Sequence, residues 1–282
     1  MYKYINIEKA EGIIKMKLGI IGFGNMAEAI LGGILSSEFV VKEDVTASGR
    51  DESMLSKASE KYGIHVKSDN KEVAEDADVI LLSVKPQILA DVIEEIKDVC
   101  TQEKLIISIA AGKSMQWLEA AFGCEHKIVR CMPNTPALVG EGCTGICFSS
   151  LVSDEEKSYA LQLFSCVGKA QEVPEKLMDV VVGISGSAPA YVFMFIEALA
   201  DAAVRCGMPR KQAYIYAAQT VKGSASMALE DGRCPAALKD AVCSPAGTTI
   251  EGVATLEKNN FRSAVIEAVT AACEKSKSLG KK

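Results

Sequence analysis

The chain has 282 residues, 49% hydrophobic and 24% charged, with 31 Lys and Arg against 37 Asp and Glu for a net charge of −6. That hydrophobic share can fill a core, which excludes intrinsic disorder, and the length suits two domains at roughly 150 residues each. No run is read as the ~20 uncharged apolar residues of a bilayer span and no Lys/Arg cluster stands out, so neither a membrane nor a nucleic acid is expected as partner.

Residues 1–15 carry Glu8 and Glu11 and no long apolar core, unlike a secretory leader, and Met16 directly precedes the first convincing strand. They read as an N-terminal extension or an artefact of start-site choice, in a protein expected in the cytoplasm. Leu18–Ile21 is expected as a buried strand, followed by a glycine turn and a helix over 25–35. The series continues with a strand over 44–48, a helix over 52–62, a strand over 78–83 closed by Lys85 and Pro86, and a helix over 88–99. Strands at 105–109 and 128–131 complete it. Uninterrupted apolar strands alternating with helices predict an α/β Rossmann-type doubly wound sheet, helices on both faces, over residues 16–174.

From Glu175 onward no strand is expected, only helical periods over 190–206, 212–229, 250–256 and 261–275, so 175–282 reads as an all-α domain. The first of these helices is apolar around most of its circumference and needs partners on all sides, which predicts an interlocked oligomer. Ten cysteines show no C-x-x-C spacing, and His65 and His126 are the only histidines. A metal site is therefore not expected, and most of the cysteines read as small buried hydrophobes in a reducing cytosol.

Gly22-Phe23-Gly24-Asn25-Met26-Ala27 is a G-x-G-x-x-A sequence between a strand and a helix. Gly22 permits the tight turn, Gly24 lets backbone approach a diphosphate, and Ala27 keeps the helix close to the sheet, whose helix N-terminus faces phosphate charge. The next strand ends Ala47-Ser48-Gly49-Arg50, without the carboxylate that would bind the ribose hydroxyls of NAD. A hydroxyl at Ser48 and a guanidinium at Arg50 suit a 2′-phosphate, so NADPH is the preferred cofactor and NADH a possible one. The loop Ser83-Val84-Lys85-Pro86 lies where a dinucleotide crosses the carboxyl ends of the strands. Lys85 there either touches the cofactor or is merely solvated. In the helical half, Cys243-Ser244-Pro245-Ala246-Gly247-Thr248-Thr249 precedes a helix with three hydroxyls and a glycine, an arrangement suited to a small carboxylate.

At this point the chain resembles the Δ1-pyrroline-5-carboxylate reductase family. The resemblance is carried by Pro235–Glu257 around Ser-Pro-Ala-Gly-Thr-Thr, by Ser185-Gly186-Ser187-Ala188-Pro189-Ala190-Tyr191, by Val84-Lys85-Pro86, by Met132-Pro133-Asn134-Thr135-Pro136 and by the Gly22 turn. It implies NAD(P)H-dependent reduction of the cyclic imine to L-proline by direct hydride transfer, a Rossmann domain followed by a helical dimerisation and substrate-binding domain, and dimers assembled into a larger ring such as a decamer. It further implies that Asn70 and Asn134 contact the adenosine and nicotinamide ends of the cofactor. No dedicated triad is needed, because the iminium is already electrophilic. The backbone N–H groups of Gly247, Thr248 and Thr249, supported by Ser244, are expected to hold the carboxylate, with the Thr249 hydroxyl at the ring nitrogen. Glu230 or Asp231 could act there through water or be plain helix-end residues. Ala188 and Ala246 stand where the family usually has glycine, and Cys234 where histidine is frequent. A β-hydroxyacid dehydrogenase would carry a catalytic lysine on its interdomain helix, and residues 180–204 contain none.

Overall fold

The computed structural model describes residues 16–123 and 125–280; the expected extension over 1–15 lies outside them. Contacts divide the chain into one unit ending at Val181, to which the residues from Leu279 also belong, and a second, Val182–Ser278.

The first unit is built on β1 (Leu18–Ile21), α1 (Asn25–Ser36), β2 (Val45–Ser48), α2 (Glu52–Tyr62), β3 (His65–Lys67), α3 (Asn70–Asp76), β4 (Val79–Leu82), α4 (Leu89–Ile96), β5 (Leu105–Ser108), α5 (Met115–Phe122), β6 (Lys127–Met132), β7 (Gly142–Phe148), α6 (Asp154–Ser165), β8 (Gly168–Glu172) and α7 (Met178–Val181). The strands form one sheet in the order β3-β2-β1-β4-β5-β6-β7-β8, parallel except where β7 runs against β6. Leu18 pairs with Val45 on one side and Val79 on the other, so the chain reverses its winding direction across β1. A crevice opens at the carboxyl ends of the strands at such a reversal.

Alternate strand residues point to opposite faces, and both faces are covered. Leu18, Ile20, Val79 and Leu81 pack with Ile30, Leu31, Leu163 and Phe164 of α1 and α6. Ile21, Ile80 and Leu82 pack with Leu89, Ile93 and Leu118 of α4 and α5. The helices start on their own caps: Asp51 accepts from the N–H groups of Ser53 and Met54, and Ser153 with Glu156 closes a capping box at α6. At the far edge Gly168 of β8 sits against Gly142 of β7 so tightly that any Cβ on Gly168 would overlap the Gly142 backbone.

β3, β7, β8, α3, α5 and α6 were not among the expected elements. β3 is three residues long with its first two exposed, and β8 reads Gly-Lys-Ala-Gln-Glu, so neither shows an apolar run. Nor are most cysteines buried. Of the nine described, Cys100, Cys131 and Cys147 are buried, whereas Cys143, Cys206 and Cys234 are exposed and the other three half-buried; all nine are free thiols.

The second unit holds α8 (Ala188–Arg205), α9 (Arg210–Glu230), α10 (Pro235–Val242), α11 (Thr248–Lys258) and α12 (Phe261–Gly280). α8 enters through a wide helical turn over Val182–Gly186, where Gly183 lets the chain press against Cys273 of α12. Gly207, at φ +99°, ends it. α8 and α9 meet through Ala200, Ala213 and Ala217, the buried apolar cluster of this unit. Much of the remaining apolar surface is open in the single chain: Phe193 is 64% exposed, Met194 68% and Ile215 61%. By length and composition alone the helical run Glu175–Arg205 is apolar enough to cross a membrane, which corrects the expectation that no such stretch exists.

Candidate cofactor and substrate sites

Gly22 sits at φ +89°, where its N–H donates to the Ser48 carbonyl at 2.9 Å. A Cβ there would lie 2.5 Å from Val84 and 2.8 Å from the Ser83 carbonyl, so the turn tolerates glycine alone. Ser83 in turn donates to Ile21 at 2.8 Å, locking the loop after β4 beside the glycine turn. Gly24 is extended, caps α1 without a side chain, and has open space where a Cβ would be. The first intrahelical bond runs from Glu28 to the Gly24 carbonyl. The N–H groups of Asn25, Met26 and Ala27 therefore have no intrahelical acceptor at the positive end of the helix.

These elements border a cleft of about 1050 Å³ at the carboxyl ends of the strands. It brings together the predicted Gly22, Gly24, Arg50, Asn70, Val84 and Lys85. Phe23, Ser56, Ser59, Lys67 and Ser68 also line it and were not anticipated; Lys67 and Ser68 follow from β3, which carried no sequence signal. Arg50 and Lys85 are exposed along this wall. Asp51 lies beside Arg50, and its carboxyl is held below the usual range by the Ser53 hydroxyl and the helix N–H groups it caps. It is thus committed to its own helix rather than offered to a ribose.

Ser48 does not line the cleft. It is fully buried, and its hydroxyl is 2.7 Å from Oδ1 of Asn70. Asn134 is also buried, its Oδ1 accepting from the Cys143 N–H at 2.8 Å, which ties the loop after β6 to β7. A smaller groove of about 400 Å³, lined by Lys17, Asp44, His65 and Asp76, flanks the start of β1, away from the glycine turn.

Sequence reasoning missed one polar cluster. Glu175 accepts from Arg130 Nη1 at 2.5 Å, from the Met115 N–H at 3.0 Å and from the Cys147 thiol at 2.7 Å. Burial pushes its carboxyl up, but these three donors outweigh that and hold it below the ordinary value. Arg130 is 8% exposed, so Glu175 neutralises a buried guanidinium while joining β6, β7 and α5.

The second unit carries the other predicted residues. Ala246 lies at φ +54°, and Gly247 follows with its N–H donating to the Ser244 carbonyl at 3.1 Å. The Gly247 N–H is thus used within the turn. Gly247 caps α11 without a side chain, which leaves the N–H groups of Thr248, Thr249 and Ile250 as the first turn, with both threonines exposed. Asp231 is paired with Arg233 (Nη2–Oδ2 2.7 Å), which holds its carboxyl ionised below the usual range. Among the described residues no group of three or more His, Cys, Asp or Glu side chains could hold a metal.

Comparison with known proteins matches residues 175–279 to the family described as pyrroline-5-carboxylate reductase dimerisation, and residues 17–112 to NADP oxidoreductase, coenzyme F420-dependent. The chain is 48% identical over 268 residues to a pyrroline-5-carboxylate reductase of Escherichia coli, covering 95% of this chain and 100% of that one. It is 47% identical to a Methanosarcina acetivorans enzyme of the same name, with 94% and 98% covered. A Plasmodium falciparum pyrroline carboxylate reductase solved with NADP bound superposes with a TM-score of 0.85 at 39% identity, over 95% of this chain and 100% of that one. A Coxiella burnetii pyrroline-5-carboxylate reductase gives 0.90 at 36% identity, with the same coverage.

Proposed function

The chain belongs to the pyrroline-5-carboxylate reductase family, and we infer from this that it reduces Δ1-pyrroline-5-carboxylate to L-proline by direct hydride transfer to the imine carbon. Residues 16–174 take the cofactor role in this reading, and 175–282 the dimerisation and substrate role. The observation that carries it is a pair of helix N-termini without side-chain caps, one in each half, each behind a tight turn that ends in glycine.

The N–H groups of Asn25, Met26 and Ala27 fit a diphosphate, since the glycine turn leaves no side chain in the way. Arg50 supplies a guanidinium for a 2′-phosphate, while Asp51 is turned to its own helix, which supports NADPH over NADH. When bound, the dihydronicotinamide supplies the hydride. Val84 and Lys85 line the same cleft, flanked in the chain by Ser83 and Pro86. In the helical half the N–H groups of Thr248, Thr249 and Ile250 hold the substrate carboxylate, with Ser244 and Gly247 shaping the turn that presents them. In this reading the Thr249 hydroxyl contacts the ring nitrogen. Asp231 is engaged by Arg233, and no acidic residue is assigned at the nitrogen. The apolar helical surface supports a homodimer, and a decameric ring in the cytoplasm completes the proposal.

Loss of dihydronicotinamide absorbance on adding Δ1-pyrroline-5-carboxylate, with proline formed, is the expected outcome, faster with NADPH than NADH. Folded protein that oxidises neither would overturn the reading. Thr249→Val is expected to slow turnover about tenfold, the scale of one hydrogen bond to a charged group, with NADPH affinity kept. Wild-type turnover in that variant removes Thr249 from the mechanism.

A further inference from the structure

At the cofactor cleft three side chains, from β2, α3 and α4, form one chain of hydrogen bonds, from the buried Ser48 to the exposed Glu95. Ser48, the last residue of β2, is fully buried and stands 2.7 Å from Asn70 Oδ1. Asn70, the first residue of α3, lies 2.9 Å through its Nδ2 from Glu95 Oε2 on α4. Only Asn70 of the three lines the cleft.

The chemistry of the partners determines how this amide is turned. An amide can present either its oxygen or its nitrogen to a neighbour, and a hydroxyl such as that of Ser48 accepts both arrangements by donating or accepting. A carboxylate is different, because it only accepts. Glu95 therefore requires the NH₂ group of Asn70 on its own side. That places Oδ1 towards Ser48 and makes the Ser48 hydroxyl the donor. One amide N–H is spent on Glu95, and the second has no partner among the described residues. Without Glu95 the two orientations of Asn70 would differ little, since Ser48 satisfies either.

We propose that Glu95 is a positioning residue for the cofactor: by accepting from Asn70 it fixes the amide so that an N–H, not a carbonyl, faces the dinucleotide. The adenosine half passes the carboxyl end of β2 in a sheet of this topology, so the group met there is a neutral acceptor of the adenosine, a ribose oxygen or ring nitrogen. A phosphate would be repelled by the nearby Glu95 charge. This proposal rests on the nicotinamide-dinucleotide reading above.

The test is the dissociation constant of NADPH and of NADH, by titration calorimetry, for the wild type, Glu95→Gln, Glu95→Ala, Asn70→Ala and the double variant Asn70→Ala/Glu95→Ala. Wild-type protein that binds neither dinucleotide sinks the cofactor reading itself. If it binds, the expected order is wild type tightest, Glu95→Gln next and Glu95→Ala weakest by about two- to tenfold, one oriented hydrogen bond. The factor should match for NADPH and NADH, because both carry the adenosine. Glu95→Ala should add nothing in the Asn70→Ala background. A purely electrostatic role has the opposite sign: removing a negative charge would tighten both variants equally, and NADPH more than NADH. That pattern, unchanged affinities, or a Glu95→Ala effect that persists without Asn70 overturns the proposal. Unchanged thermal unfolding without cofactor separates the effect from a folding defect.

Discussion

The two halves of this chain solve the burial problem differently. In the sheet half every residue of β1, β4 and β5 is buried, and two apolar layers cover opposite faces of one sheet. In the helical half the buried apolar cluster is three alanines, and Phe193, Met194, Ile215 and Tyr216 are all more than 60% exposed. Apolar surface on that scale marks a protein interface, and the match to a dimerisation family over 175–279 says which kind. A doubly wound sheet closes its own core, whereas helices apolar on several sides borrow theirs from a second chain.

The contrast breaks most sharply at Gly22. A side chain there needs a positive φ and overlaps Val84 and the Ser83 carbonyl, so Gly22→Ala is expected to cost about 3 kcal/mol or more of sheet-half stability and to abolish NADPH binding. Differential scanning calorimetry and cofactor titration check both. If Gly22→Ala binds NADPH as the wild type does, the turn is not the phosphate cradle.

Phe193→Asp should leave the sheet half intact and dissociate the oligomer. Burying a Phe contributes about 2 kcal/mol per copy, and a two-fold interface counts it twice. Light scattering at micromolar concentration should then show monomer. An unchanged assembly would place the interface elsewhere on the helices.

Glu175→Gln tests whether the sheet half is as self-contained as it looks. The variant leaves the buried Arg130 guanidinium without its counter-charge and is expected to cost about 2 kcal/mol, less than a fully buried pair because Glu175 is partly exposed. It should also change the acid limb. A carboxyl held below its ordinary value contributes stability above that value and loses it as pH falls through the folded value, so the wild type should weaken below about pH 4 and the variant less steeply. Urea unfolding across that range reads both slopes, and parallel curves would exclude Glu175.

The smallest effect is expected at Ala246. Its φ of +54° suits glycine, which the family usually has there, so Ala246→Gly should stabilise by about 1 kcal/mol and raise the unfolding temperature. No gain would mean that the turn relaxes out of the left-handed region in solution.

Much of this was legible in the sequence, and the gaps have physical causes. Strands buried on both faces announce themselves as Leu/Ile/Val runs, as at 79–82 and 105–108. Edge strands do not, because solvent admits polar residues: β3 and β8 were missed for that reason. α6 was readable, since Ser153 and Glu156 spell a capping box, but its weak apolar periodicity hid it. At the candidate sites, local signals give the turns themselves: Gly22 takes a positive φ ahead of α1, and α11 starts after Gly247 without a side-chain cap. They do not record the distant partners of a side chain. Ser48 reads as a phosphate ligand, yet its hydroxyl donates to Asn70, 22 residues away, and Asn134 reads as a cofactor contact, yet its oxygen accepts from Cys143. The Glu175 cluster joins residues 28 to 60 apart, a separation no local pattern records.

The close approach of Gly142 and Gly168 has a consequence for how this sequence can vary. What a new side chain at Gly168 would strike is main chain, and what one at Gly142 would strike first is the Val167 carbonyl, 2.8 Å away. Compensation works by trimming a neighbouring side chain; at Gly168 there is none to trim, and at Gly142 trimming Ala137, 3.0 Å away, would still leave the Val167 carbonyl in the way. In a library covering every substitution, both positions should therefore stay glycine whatever else is changed around them, including in variants selected for a different cofactor or substrate.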